Sequence, residues 1–180
     1  MERRLDAGLA LDVGSVASVF ISRWDGAVAG KISDDLRGQL GLGIAKRTYK
    51  AYRDLLASER WQKLADAGVR PQRLLWASTG TKDPSLPDTF YISNLASEQT
   101  INTMPEGTLI AFGAHGTVGE LLPADGGDAE AVLARFAEEG IDIDELAAKL
   151  QSDGADSFVK SWDELLACIG SKASQLSKVG

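Results

Sequence analysis

An α/β fold built on parallel strands is what this sequence predicts. Three observations carry the expectation. Two short runs rich in apolar and β-branched residues have the length of strands, the segment between them has helical spacing, and glycine or proline marks most junctions. Strand and helix in alternation argue for a parallel sheet with right-handed crossovers.

Taken in order, Met1 to Leu11 has helical spacing that turns Leu5, Leu9 and Ala10 inward. No N-cap residue or turn precedes it, so it reads as the tail of a helix begun elsewhere. The run Ser15 to Ser22, bounded by Gly14 and by Arg23, Trp24 and Asp25, suits a strand buried on both faces. A helical stretch follows over roughly 34–67. Leu42, Ala45, Tyr49, Tyr52 and Leu56 recur at three- and four-residue steps, and Gly68 is its stop. Gln72 to Ser78 is a second buried strand. The turn-rich loop Thr79 to Pro87 leads to a third apolar segment, Phe90 to Leu95, and then to a short β-prone run, Thr100 to Met104, closed by Pro105. About three strands are therefore available, and a three-stranded parallel sheet with open edges is unusual on its own.

From about Asp125 the pattern is helical throughout. Ala129, Val132, Leu133, Phe136 and Ala137 share a face that ends at Gly140, and Leu146 and Leu150 mark a second short helix. Phe158, Trp162, Leu165, Leu166 and Ile169 form the stripe of a terminal helix. Ser161 to Glu164 has capping-box spacing inside that stripe. Gly170 and the Ser/Lys-rich tail are expected to fray.

Composition narrows the function. The 180 residues carry a formal net charge of −7 and contain no local Lys/Arg cluster, which argues against nucleic acid as a partner. Cys168 is the single cysteine, which excludes an intramolecular disulfide and fits a reducing compartment. Apolar runs such as Val16 to Ile21 are too short to span a bilayer, and the N-terminal residues are charged and lack a signal-peptide core. The expectation is a cytoplasmic protein without a membrane partner.

Several motifs have dull readings. Gly41-Leu-Gly43 with Lys46 lacks the rest of a nucleotide loop and sits in a helical pattern, so helix packing explains it better. His115 is the only histidine, and no Cys/His cluster supports a zinc site. Asp142, Asp144 and Glu145 have the spacing of a solvated helix start. No metal or cofactor is expected.

Two spots carry more. The run from Ser18 to Asp25 ends a strand and delivers Arg23, whose guanidinium suits a bidentate grip on phosphate. The run from Ala77 to Lys82 ends the next strand with hydroxyls, Gly80 and an ammonium, which suit an anionic ligand. Alone, the first reads more readily as a surface ion pair and the second as an ordinary turn. At equivalent ends of successive strands they support each other.

These same residues resemble a known family. Ser15 to Asp25 is similar to the sixth-strand segment of transaldolases of the long bacterial subtype, which also occurs fused to glucose-6-phosphate isomerase. Pro71 to Pro84 resembles that subtype's seventh strand and loop. Asp88 to Tyr91 and Thr100 to Glu106 resemble its eighth-strand region, and Ser161 to Leu166 its terminal helix. The resemblance implies the C-terminal portion of a (β/α)8 TIM barrel, about strands six to eight in residues 1–124, followed by a helical extension over 125–180.

It further implies a pentose-pathway enzyme that transfers a dihydroxyacetone unit between sugar phosphates, such as fructose 6-phosphate and sedoheptulose 7-phosphate, through a lysine Schiff base without a cofactor. Arg23 then binds the substrate phosphate, with Ser18 nearby and Phe20 shaping the pocket floor. Ser78 falls in the second phosphate-contacting segment. Short transaldolases carry an arginine just after that serine, whereas here the loop is longer and its cation is Lys82. The family's Schiff-base lysine lies on the fourth strand and its acid/base carboxylates on the first and third, outside the matched segments. Lys82 is the nearest alternative nucleophile, but its loop position favours phosphate binding. A non-catalytic sugar-phosphate-binding or assembly module is the competing expectation, with an N-terminal half-barrel or a second copy of the chain as partner.

Overall fold

Three strands form one parallel sheet in the order β1-β2-β3, with β1 at Val16–Phe20, β2 at Arg73–Ala77 and β3 at Thr100–Asn102. The structure, a computed structural model, describes residues 1–176. Its helices are α1 (Glu2–Asp6), α2 (Ser22–Val28), α3 (Gln39–Ala57), α4 (Glu59–Asp66), α5 (Phe90–Asn94), α6 (Glu106–His115), α7 (Ala129–Glu138) and α8 (Ile143–Leu176), with a 3-10 turn at Asp34–Leu36. The chain divides into two compact units, Met1–Ile141 and the segment from Asp142 onward.

In the first unit one face of the sheet is covered and the other is not. Leu74 and Trp76 of β2 point into a core with Ile21, Leu42, Ala45, Tyr49, Tyr52, Tyr91, Leu95 and Leu122, and Val19 of β1 packs against it. Trp76 is fully buried, and its indole N–H donates to Ser97 Oγ at 3.1 Å. Side chains alternate along a strand, so Val16, Ser18 and Phe20 share the opposite face with Leu75, the register partner of Ser18. That face is open: Val16 is 43% exposed and Ser18 is exposed as well.

This corrects the expectation of a first strand buried on both faces. The apolar run is real, but β1 is an edge strand and half its side chains meet no second layer. On the second strand Leu74, Trp76 and Ala77 are buried, whereas Leu75 on the open face is half-buried and Arg73 is exposed. The apolar segment around Phe90 is helix α5, and the third strand forms from the short run after it. So short an apolar segment fits either state, and here Phe90 N–H donates to Pro87 O at 3.0 Å and Ser93 N–H to Thr89 O at 2.9 Å, closing helical turns.

The long helical stretch breaks at Ser58, whose hydroxyl accepts from Trp61 N–H at 3.2 Å and starts α4. Gly68, at φ +90°, ends it as expected. α3 buries Leu40, Leu42, Ile44, Ala45, Tyr49 and Tyr52. A Cβ on Gly43 would meet the Leu133 side chain of α7 at 3.3 Å, so the glycine pair serves helix packing as read. α1 is only five residues long, and Leu5, Leu9 and Ala10 are exposed rather than turned inward. Ala137 is likewise exposed, while Ala129, Leu133 and Phe136 are buried.

In the second unit the two expected helices are one helix of 34 residues, α8. It starts on the Asp142 carboxylate, which accepts from the N–H groups of Asp144 and Glu145, both at 2.9 Å. That is the solvated helix start expected there. Ser161 lies in mid-helix, so it caps nothing. The stripe of Phe158, Trp162, Leu165, Leu166 and Ile169 is exposed. The helix continues past Gly170, and residues 177–180, the rest of the tail expected to fray, lie outside the described residues. No helix among the described residues is long and apolar enough to cross a membrane.

Candidate functional site

The C-terminal ends of β1 and β2 are joined by hydroxyls. The ladder continues past the strands, with Ile21 N–H donating to Ala77 O at 2.9 Å and Ser22 N–H to Ser78 O at 3.0 Å. The hydroxyls of Ser22 and Ser78 then share a 2.9 Å hydrogen bond. Ser22 is buried, and Ser78 takes a left-handed backbone at φ +54°. A non-glycine residue there costs on the order of 1 kcal/mol. Beyond it Thr79, also buried, donates its hydroxyl to Thr103 O and fixes the loop to the end of β3.

Arg23 lies in the first turn of α2, because the chain enters that helix directly after Ile21. The sequence places it at a bare strand end, and the helix is the difference. Its guanidinium stacks over the Phe20 ring, 4.3 Å from the centroid, a contact worth about 0.5–1 kcal/mol at a partly exposed site. Ser18 sits two residues before Phe20 on the same open sheet face. Ser78 and Lys82 line a cleft of about 410 Å³ with Gly80, Thr81, Pro105 and Thr108. The structure thus groups Ser18, Phe20 and Arg23 at β1, and Ser78 with Lys82 beside β2. The Ser22–Ser78 pair joins the two groups.

A second cavity, also of about 410 Å³, lies behind α2 and is lined in part by Ser22, Asp25, Arg37, Lys82 and Tyr91. Asp25 is its notable group. One carboxylate oxygen accepts from Leu40 N–H at 3.0 Å; the other accepts from Gly41 N–H at 3.2 Å and from Tyr91 O–H at 2.7 Å. Gly38, at the N-cap of α3, has no side chain to cap with, so Asp25 caps that helix from α2. Reading the residues singly misses this, since the partners stand 15, 16 and 66 positions away.

Burial pushes the Asp25 carboxyl above its usual range, opposed by the hydrogen bonds from Tyr91, Gly41 and Leu40. Burial and the neighbouring carboxylate also push the Tyr91 hydroxyl far up. A carboxyl whose folded pKa is raised contributes its full stability below the unfolded value, about 3.9, and loses it as pH rises through the folded value. The unfolding free energy of the wild type, minus that of Asp25→Asn, should therefore fall as pH rises through that window. Urea titrations in steps from pH 3.5 upward check the sign, and a difference that rises with pH contradicts it.

Other charged groups are surface features. His115 pairs with Asp88 at 2.9 Å and both are exposed. No group of three or more His, Cys, Asp or Glu side chains suited to a metal occurs among the described residues.

Against this geometry, residues 2–169 match the family described as transaldolase/fructose-6-phosphate aldolase. The chain belongs to the transaldolase family. It is 43% identical over 187 residues to a transaldolase of Parafrankia sp. (strain EAN1pec), an alignment covering 97% of this chain and 51% of that protein. A transaldolase of Frankia alni is 42% identical over 189 residues, 100% of this chain and 50% of the relative. One from Thermobifida fusca is 43% identical over 175 residues, 92% and 48% respectively. This transaldolase-family chain therefore spans about half the length of the curated relatives it matches. Its helices and small parallel sheet are consistent with part of a TIM-barrel-type fold.

Proposed function

We propose that this chain is the C-terminal portion of a transaldolase barrel and supplies its grip on the substrate phosphate. In this reading β1, β2 and β3 are barrel strands six to eight within residues 1–124, and residues 125–180 are the helical extension. The observation that carries it is Arg23 stacked on Phe20 at the C-terminal end of a parallel strand. In β/α barrels that end is the active-site mouth. Ser18, Ser78 and Lys82 complete the anion site, with fructose 6-phosphate and sedoheptulose 7-phosphate as substrates.

The reaction is transfer of a dihydroxyacetone unit through a lysine Schiff base, whose protonated imine is the electron sink for carbon–carbon cleavage. The lysine for that step comes from outside this chain. In support, β1, β2 and β3 contain no lysine. The same fact favours a second reading, a sugar-phosphate-binding module without catalysis. In both, the open sheet face and edges call for an N-terminal half-barrel or a second copy as partner.

Calorimetry with fructose 6-phosphate tests the phosphate site. Wild type should bind, and Arg23→Ala should bind ten- to a hundredfold more weakly, the size of one lost charge-assisted contact. Binding that ignores Arg23 would sink both readings. Borohydride treatment with fructose 6-phosphate should leave the mass of the chain unchanged, whereas a stable adduct would place the nucleophile within it.

A further inference from the structure

Arg23 has one long side chain and a short helix to hold it. α2 is seven residues long, and isolated helices of that length are not stable in water. Its orientation must come from what it touches. On one side of Arg23, Ser22 is tied to Ser78 through backbone and hydroxyl. On the other side, two residues on, Asp25 is tied to the first turn of α3 and to Tyr91 of α5.

The site is shaped around that carboxylate. A Cβ on Gly41 would stand 2.6 Å from Asp25 Oδ2 and 3.0 Å from Ile21 O. Glycine at this position is what lets α2 and its carboxylate approach the helix start. Tyr91 is 3% exposed and its hydroxyl reaches Asp25 at 2.7 Å, so the third bond comes from a side chain that is itself held.

We propose that Asp25 is a positioning residue, which fixes the rotation of α2 and thereby holds the Arg23 guanidinium over Phe20 at the mouth of the phosphate site. The proposal rests on reading Arg23 as the phosphate ligand, but the positioning itself can be measured without any ligand. Asp25→Asn keeps size and shape. It replaces one acceptor oxygen by an N–H2 group, which cannot accept from a backbone N–H and so breaks the bond to Leu40 or to Gly41. With that part of the tether gone, α2 turns and the guanidinium leaves the ring.

The ring current of Phe20 supplies the readout. In the wild-type chain the side-chain NMR signals of Arg23 should lie upfield of those of an exposed arginine, and Phe20→Leu should abolish the shift. Asp25→Asn should lose at least half of it, while the indole N–H signal of Trp76 stays in place. An Arg23 shift kept in full by a folded Asp25→Asn overturns the proposal. If Asp25→Asn does not fold, Tyr91→Phe removes a single donor; it should reduce the shift, and an unchanged shift again overturns the proposal. The fructose 6-phosphate arm separates the two claims. Where wild type binds and Arg23→Ala does not, Asp25→Asn should bind about tenfold more weakly. A wild type that binds no sugar phosphate removes the ligand reading, and the ring-current result still decides the positioning.

Discussion

Replacing Trp76 by alanine should lower the unfolding free energy by about 3–5 kcal/mol, the range for truncating a large buried aromatic. Trp76 is fully buried in the centre strand, and the core of α3, α5 and Leu122 is assembled against it. The substitution removes the ring's apolar area and leaves a cavity that a three-stranded sheet has few neighbours to refill. It also strips Ser97 of its indole donor, although that hydroxyl keeps a 3.0 Å partner in Thr100. Domains of this size have only about 5–15 kcal/mol in total. The variant should therefore lose much of its far-UV circular dichroism at a urea concentration where wild type is folded. A loss below about 1 kcal/mol would mean that Trp76 is not the centre of the core.

Gly41→Ala sets two effects of opposite sign against each other. In a helix interior alanine is favoured over glycine by about 1 kcal/mol, and Gly41 lies in the first turn of the 19-residue α3. The new methyl, however, stands 2.6 Å from Asp25 Oδ2 and 3.0 Å from both Ile21 Cγ2 and the Ile21 carbonyl oxygen. The carboxylate can move only by giving up its hydrogen bonds to Leu40, Gly41 and Tyr91, and the carbonyl is backbone. Overpacking costs about 1–3 kcal/mol, and each buried donor left without a partner about 1–3 kcal/mol more. The clash wins. The expected net loss is about 2–4 kcal/mol by urea unfolding, and a stabilised Gly41→Ala would show that α2 and α3 do not meet as described.

Strand β2 was legible in the sequence because a continuous apolar run between Pro71 and a turn has few other solutions. The covering of β1 was not, since a strand looks the same whether or not a second layer covers its far face. The terminal stripe read as a helix separate from that of Leu146 and Leu150, although only a polar stretch with Gly154 divides them. A lone glycine without proline or a cap is tolerated inside a helix, and α8 runs through it. Arg23, Ser78 and Lys82 could be named from residue chemistry at two strand ends. Ser22, Asp25 and Tyr91 could not, because their importance comes from partners brought in by the fold.

Ser78 sets backbone strain against a side-chain hydrogen bond in the loop after β2. A chain that needed only to turn at φ +54° would do so more stably with glycine, the residue it uses at φ +90° at Gly68. Serine at Ser78 keeps a hydroxyl that meets Ser22 on the next strand end and faces the cleft with Lys82. Under the proposed phosphate-binding role, stability and recognition are opposed at a single backbone position. If Ser78 takes part in ligand capture as proposed, random variants sorted for thermal tolerance should drift toward glycine there, and variants sorted for ligand capture should hold serine.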